Sequence, residues 1–251
     1  MIVICSIQFC RELDGFFVKE GTFFYMLKFY RFDEIVTKSL LLHLGEIESF
    51  RVRIPYHISL VLPDMNKWIL YLSWRKIKKL TLTHKYVTYR HKLPPYFFSC
   101  LDLTYLKLHN FVLSAPLEFK GFLNLYRLLL KGVEFTDNCF ERVISSCPVL
   151  KTLSLHRCFG IHHFNITGSN LKRFLIKDDE KFKSISLENA SNLSEVSVSL
   201  ERVVTGRAGK PVSDLGTLVD TLPKVKILRL NGMFLQLLDE TPVLPMLSPS
   251  S

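Results

Sequence analysis

One short pattern dominates this chain: an apolar residue, two variable ones, a second apolar residue, one variable residue and a third apolar residue. Its clearest copies are Leu103-Leu106-Leu108, Leu125-Leu128-Leu130, Leu150-Leu153-Leu155, Leu171-Phe174-Ile176, Leu193-Val196-Val198 and Val225-Leu228-Leu230. Two weaker copies stand upstream, at Ile47-Phe50-Val52 and Ile77-Leu80-Leu82. The starts at 103, 125, 150, 171 and 193 are 22, 25, 21 and 22 residues apart, within the period of about 20–29 residues of a leucine-rich repeat. Side chains alternate along a strand, so the second and third apolar residues of each copy point to the same side. A single copy cannot bury that side alone, so the copies must stack and share one core. The pattern predicts an α/β leucine-rich-repeat solenoid, a horseshoe with about eight parallel strands on its concave side.

The segments between copies predict mixed helix and short-strand returns on the convex side. Phe140, Val143, Ile144 and Cys147 fall at helical spacing, and Pro148 ends the run. Asp64 to Leu72, with Met65, Trp68, Ile69 and Leu72, reads as a second return helix, and Phe32 to Leu44 as a helix at the entrance. His163-Phe164-Asn165-Ile166 and Phe182 to Leu187 alternate instead and read as short strands. Phe111 with Leu113, Val133 with Phe135, and Met233 with Leu235 continue the repeat spacing beyond its core. Gly206 to Pro211 reads as a loop.

Composition narrows the functional classes. At 251 residues, 48% of them hydrophobic, the chain suffices for one large stacked domain. The six cysteines, at 5, 10, 100, 139, 147 and 158, form no Cys-x-x-Cys pair. They read as reduced, buried thiols of a cytoplasmic or nuclear protein. Met1 to Ile7 is apolar but lacks the positive flank and cleavage site of a signal peptide. No stretch of about 18 uncharged apolar residues is present to span a membrane.

Catalytic and metal-binding constellations are weak. Cys147, Cys158, His162 and His163 lack zinc-finger spacing, and Cys158, at a repeat position usually filled by a small buried residue, reads as a packed core thiol rather than a ligand. Gly206-Arg-Ala-Gly-Lys-Pro lacks the upstream glycine and the Ser/Thr of a phosphate-binding loop. No nucleophile elbow accompanies the eight histidines. Trp68 and Trp74 read as core. The expectation is a non-enzymatic chain without catalytic residues, metal or cofactor.

Several segments resemble the plant F-box/LRR-repeat family, including members that carry a C-terminal FBD region. They are Val36 to His43, Trp68 to Ser73, Leu93-Pro94 with Phe98 to Cys100, and Phe119 to Leu125. They continue with Ile144 to Leu153, Asn165-Ile166 with Asn170 to Lys172, Leu187 to Asn189, Leu222 to Lys224 and Phe234 to Gln236. The resemblance covers about residues 32–238. It implies a substrate-recognition region, whose repeats hold a target while an F-box docks on the adaptor of a cullin-RING (SCF-type) ubiquitin ligase. The F-box start and finish are missing from residues 1–31, as is the FBD portion after the repeats. The expected organisation is therefore an atypical N-terminal segment (1–31), a leucine-rich-repeat domain (32–238) and a disordered tail (239–251).

The variable residues that flank the inward positions face the concave surface. Over eight copies they are Ser49, Arg51 and Arg53; Lys79, Thr81 and Thr83; Tyr105, Lys107 and His109; Arg127, Leu129 and Lys131. The later copies add Thr152, Ser154 and His156; Arg173, Leu175 and Lys177; Glu195, Ser197 and Ser199; Ile227, Arg229 and Asn231. Nine are Lys or Arg and one is acidic, a balance of +8 in a chain whose net charge is +10. This predicts a basic trough for an acidic or phosphorylated protein segment. The expected contact residues are Tyr105, Lys107, His109, Arg127, Lys131, Arg173, Lys177 and Arg229. Three readings stay open: a ligase substrate-recognition module, a stand-alone scaffold for an acidic partner, and an RNA or polyanion binder. Nucleic acid is disfavoured because Tyr105 is the one aromatic on the face, whereas single-strand binders stack successive bases. No membrane association and no oligomer are expected.

Overall fold

The computed structural model describes residues 5–6, 22–54, 64–84, 90–137, 139–166, 168–178, 184–187, 190–200 and 225–239. Within them a single parallel sheet runs the length of the molecule. Its strands are β1 (Cys5–Ser6), β2 (Ser49–Ile54), β3 (Lys79–His84), β5 (Tyr105–His109), β7 (Arg127–Lys131), β9 (Thr152–His156), β11 (Arg173–Asp178), β13 (Glu195–Leu200) and β14 (Ile227–Leu230), in that spatial order. The strand of each expected copy is present, and β1 adds one beside β2, pairing Cys5 with Phe50. Five short strands lie on the opposite side. They are β4 (His91–Lys92), β6 (Phe111–Leu113) and β8 (Glu134–Phe135) in one sheet, and β10 (His163–Asn165) with β12 (Ser184–Ser186) in another.

The register follows the repeat spacing without a slip. Leu80, Leu106, Leu128, Leu153, Phe174 and Val196 form one lateral row, and Leu82, Leu108, Leu130, Leu155, Ile176 and Val198 the next. All twelve are buried. The first apolar residue of each copy from Ile47 to Leu193 is buried too, so each strand is anchored before it starts. Burying one such side chain is worth about 1.5–3 kcal/mol.

Backbone hydrogen bonds tie the coils together. The carbonyls of Glu48, Lys78, Thr104, Tyr126, Lys151, Lys172 and Ser194 each accept two successive N–H groups from the following coil. At the other end of the strands the chain turns sharply through left-handed residues, Asn110 (φ 62), Gly132 (φ 59) and Arg157 (φ 50). Their N–H groups donate to the carbonyls of Lys131, His156 and Lys177 on the next coil. Asn110 also donates its buried Nδ2–H to the His84 carbonyl at 2.8 Å. The strand face is thus held in register at both margins.

The returns are mixed, as expected. Helices α2 (Met65–Trp74) and α3 (Cys139–Ser145) cover the coils after β2 and β8. A single 3-10 turn at Pro95–Ser99 serves the next coil after β4. Where no helix covers the core, phenylalanines do. Phe98 and Phe119 have ring centroids 4.9 Å apart, Phe119 and Phe122 also 4.9 Å, and Phe97 and Phe122 5.7 Å.

Three local expectations need correction. The entrance helix, expected over 32–44, is α1 (Thr22–Leu41); it begins earlier and ends at Leu41, short of the expected Leu44. Met233 and Leu235 do not continue the strand pattern but lie in a helix, α4 (Gly232–Asp239). Asn231 decides this: its side-chain oxygen accepts the Phe234 N–H at 3.2 Å and its carbonyl the Leu235 N–H at 3.1 Å, a helix-starting arrangement. Trp68 is buried and donates to the Thr37 hydroxyl at 2.8 Å, whereas Trp74 is 72% exposed. Six residues after Trp68, Trp74 lies about 120° off the buried stripe of α2. The expected loop at 206–211, the C-terminal tail beyond Asp239 and most of the first 21 residues fall outside the described residues.

Candidate ligand-binding face

Because the inward positions alternate with the outward ones, the variable residues form three straight rows across the long sheet. The row nearest the strand starts reads Ser49, Lys79, Tyr105, Arg127, Thr152, Arg173, Glu195, Ile227. The middle row reads Arg51, Thr81, Lys107, Leu129, Ser154, Leu175, Ser197, Arg229, and the last Arg53, Thr83, His109, Lys131, His156, Lys177, Ser199. All eight residues expected to contact a partner lie on this one surface. Strands stand about 4.8 Å apart, and fields of neighbouring charges overlap within a Debye length of about 8 Å.

The charges are not equivalent. Glu195, on β13, accepts Arg173 Nε from β11 at 3.2 Å and a close contact from Arg229 Nη1 on β14. Two of the expected contact residues are therefore tied to the one acid of the face. From β2 to β9 the face carries Arg51, Arg53, Lys79, Lys107, Arg127 and Lys131 without an acidic residue; Glu48, just before β2, lies 3.9 Å from Lys79 at the margin. The Nε of Arg127 is buried and has no hydrogen-bond partner among the described residues. Spacing along the chain could not reveal these differences, because they depend on lateral neighbours more than 20 residues away.

Other side chains depart from a simple exposed face. His109 is half-buried, and burial, with Lys131 and then His156 adding repulsion, pushes its pKa down to about 4. It is neutral at pH 7 and offers a hydrogen bond rather than a charge. Thr81, expected to face solvent, is 9% exposed between Arg51 and Lys107 in the register. Asn231 spends its amide on the backbone N–H and carbonyl of Leu200, at 3.0 and 2.6 Å.

The described residues bring no group of three His, Cys, Asp or Glu into metal-binding proximity. Cys147 and Cys158 are buried, while His162 and His163 are exposed, with His163 Nδ1 2.8 Å from Ser184 Oγ across the β10–β12 pair. Burial pushes the Cys100 thiol up to about 12 and the Cys147 thiol to about 11, so neither is a thiolate at neutral pH. No described helix is long and apolar enough to cross a membrane.

Comparison with known proteins fits this architecture. Residues 65–228 match the family described as FBD-associated F-box protein At5g56370, LRR repeats. The F-box/FBD/LRR-repeat protein At1g13570 of Arabidopsis thaliana is 36% identical over 165 residues, 66% of this chain and 38% of that protein. The F-box/FBD/LRR-repeat protein At5g56420 of the same plant is 30% identical over 158 residues, 61% of this chain and 37% of that protein. The Arabidopsis F-box/LRR-repeat protein 13 is 30% identical over 119 residues, 45% of this chain and 26% of that protein. The chain thus spans less than two-fifths of the length of these relatives. No solved structure matches.

Proposed function

Since this chain belongs to the leucine-rich-repeat family of plant FBD-associated F-box proteins, we propose that its strand face holds an anionic protein target, as the substrate-recognition region of an F-box ubiquitin ligase component. One observation carries the anionic part of this reading. Nine Lys and Arg residues converge on one sheet face against a single glutamate, which two of them already share. Solvated faces ordinarily intersperse both signs. The ligase part rests on the F-box names of the relatives, and delivery to a ligase requires an F-box acting with the repeats. The reading needs no catalytic residue, cofactor or metal. Buried thiols at Cys100, Cys139, Cys147 and Cys158, none of them in a disulfide, suit a reducing cytoplasmic or nuclear compartment.

Proximity labelling in plant cells by the wild-type chain and by an Arg127→Glu/Lys131→Glu double variant provides the test. Proteins labelled by the wild type and lost with the variant should be acidic or phosphorylated, and should accumulate when the proteasome is inhibited. An unchanged set would remove the strand face from target binding. A set that depends on the two cations but is indifferent to the proteasome, with no cullin adaptor co-precipitating, favours a scaffold acting without a ligase.

A further inference from the structure

The central strands of the face repeat a motif. β7 presents Arg127, Leu129 and Lys131 outward, and β11 presents Arg173, Leu175 and Lys177 in the same lateral rows. Between them β9 presents Thr152, Ser154 and His156. In the first two rows the intervening side chains are short, so the sheet is lower along β9 than along the strands on either side. The result is a slot with Leu129 and Leu175 as walls and Ser154 as floor. The two walls stand about 10 Å apart, two strand spacings. Cations stand at both ends, Arg127 with Arg173 at one and Lys131 with Lys177 at the other. The two ends are about 13 Å apart, four residues of strand at roughly 3.3 Å each.

An extended ligand has the same dimensions. Its residues i, i+2 and i+4 point to one side, and i and i+4 lie about 13 Å apart. Building on the proposed binding of anionic targets to this face, we infer that the slot over β9 recognises an extended acidic–x–apolar–x–acidic segment of the partner. The middle apolar side chain enters between Leu129 and Leu175 above Ser154. One carboxylate meets the Arg127 guanidinium, whose buried Nε has no partner among the described residues; the other meets the two lysines. Arg173 contributes less charge because Glu195 already holds it. Glu195 engages Arg173 and Arg229, so Arg127 is the arginine of this end that Glu195 does not hold, and a single carboxylate balances it. Because the motif reads alike in both directions, the slot accepts the segment in either polarity.

Fluorescence anisotropy with two synthetic peptides of identical composition tests this on the full chain. One carries Glu-Ser-Leu-Ser-Glu between Gly-Ser ends, and the other carries Glu-Glu-Leu-Ser-Ser between the same ends. The alternating peptide should bind at least about tenfold more tightly, a difference of about 1.4 kcal/mol. Ser154→Trp, which fills the slot from the solvent side, should reduce it to the level of the isomer. Leu175→Ser, which removes one wall without adding bulk, should do the same, with thermal unfolding of both variants checked against wild type. Equal affinity for the two peptides overturns the slot while leaving a generally anion-binding face intact. Failure of both peptides to bind, with target labelling indifferent to Arg127→Glu/Lys131→Glu, overturns slot and face together.

Discussion

At the scale of single residues, the turn at the end of each strand sets the strictest demands. Gly132 sits at φ +59, and a Cβ there would stand 2.1 Å from the Asn110 side-chain oxygen. That oxygen cannot simply swing away, because the same amide donates to the His84 carbonyl inside the core. Gly132→Ala should therefore cost about 2–3 kcal/mol, combining left-handed strain with the displaced amide, and should lower the thermal midpoint measurably. A surface glycine such as Gly232, with nothing within 4 Å of a new Cβ, should tolerate the same change. The repeat spacing did not single out this glycine, because the demand comes from the asparagine one coil earlier.

Among the elements, α1 is attached to the first repeat by a small polar cluster that responds to pH. Thr37 donates to Asp64 at 3.1 Å and accepts from Trp68, while Lys67 Nζ lies 2.5 Å from Asp64. Asp33 is buried beside them, and burial first, then the Asp64 charge, raises its pKa from 3.8 to about 6. A raised pKa means that the folded state prefers the protonated acid. The stabilisation is complete below the unfolded value near pH 4 and is lost as pH rises through about 6. Asp33→Asn should accordingly raise stability at pH 7 by on the order of 1 kcal/mol and leave pH 4 almost unchanged. Denaturant midpoints at the two pH values check this; a variant that is less stable at pH 7 contradicts it.

The elements also show which features were legible in sequence. Every expected repeat strand formed where its apolar triplet lies, because the two inward residues of a strand and the residue that anchors it leave no other register. The termini of the repeat were less readable. The apolar spacing from Met233 to Leu238 suits a strand or a helix, and only the capping by Asn231 decides between them. Trp74 misled for the opposite reason: an aromatic in an apolar segment looks like core until helical phase carries it off the buried stripe. The charged positions of the face were legible from alternation alone. The division of that face into an end where Glu195 holds two arginines and a slot over β9 was not, because lateral pairing joins residues more than 20 positions apart.

For the molecule as a whole, stability is distributed along the stack and falls toward its C-terminal side. A coil in the middle is covered by neighbours on both flanks, as Leu128 and Leu153 show by being almost fully buried. In β14 the corresponding Leu228 is 43% exposed, and Ile227 beside it is 45% exposed. Solenoid stability is approximately a sum of unit and interface terms, so a strand whose core-row leucine is left this exposed opens first. Amide hydrogen exchange should be fastest in β14 and α4 and slowest from β5 to β11. Uniform exchange over all coils would instead mark the stack as a single cooperative unit.

One strand per coil also means that distances along the face come in whole steps. The width of the slot is set by a count, the one coil that separates β7 from β11, and not by an adjustable fit of side chains. Deleting that coil would bring the two basic strands side by side, and duplicating it would part them by a further 4.8 Å or so. Point substitutions can alter the charge or the depth of such a site, but they leave its span untouched. The grip of a chain built this way therefore changes gear by whole repeats, and single substitutions tune it only between gears.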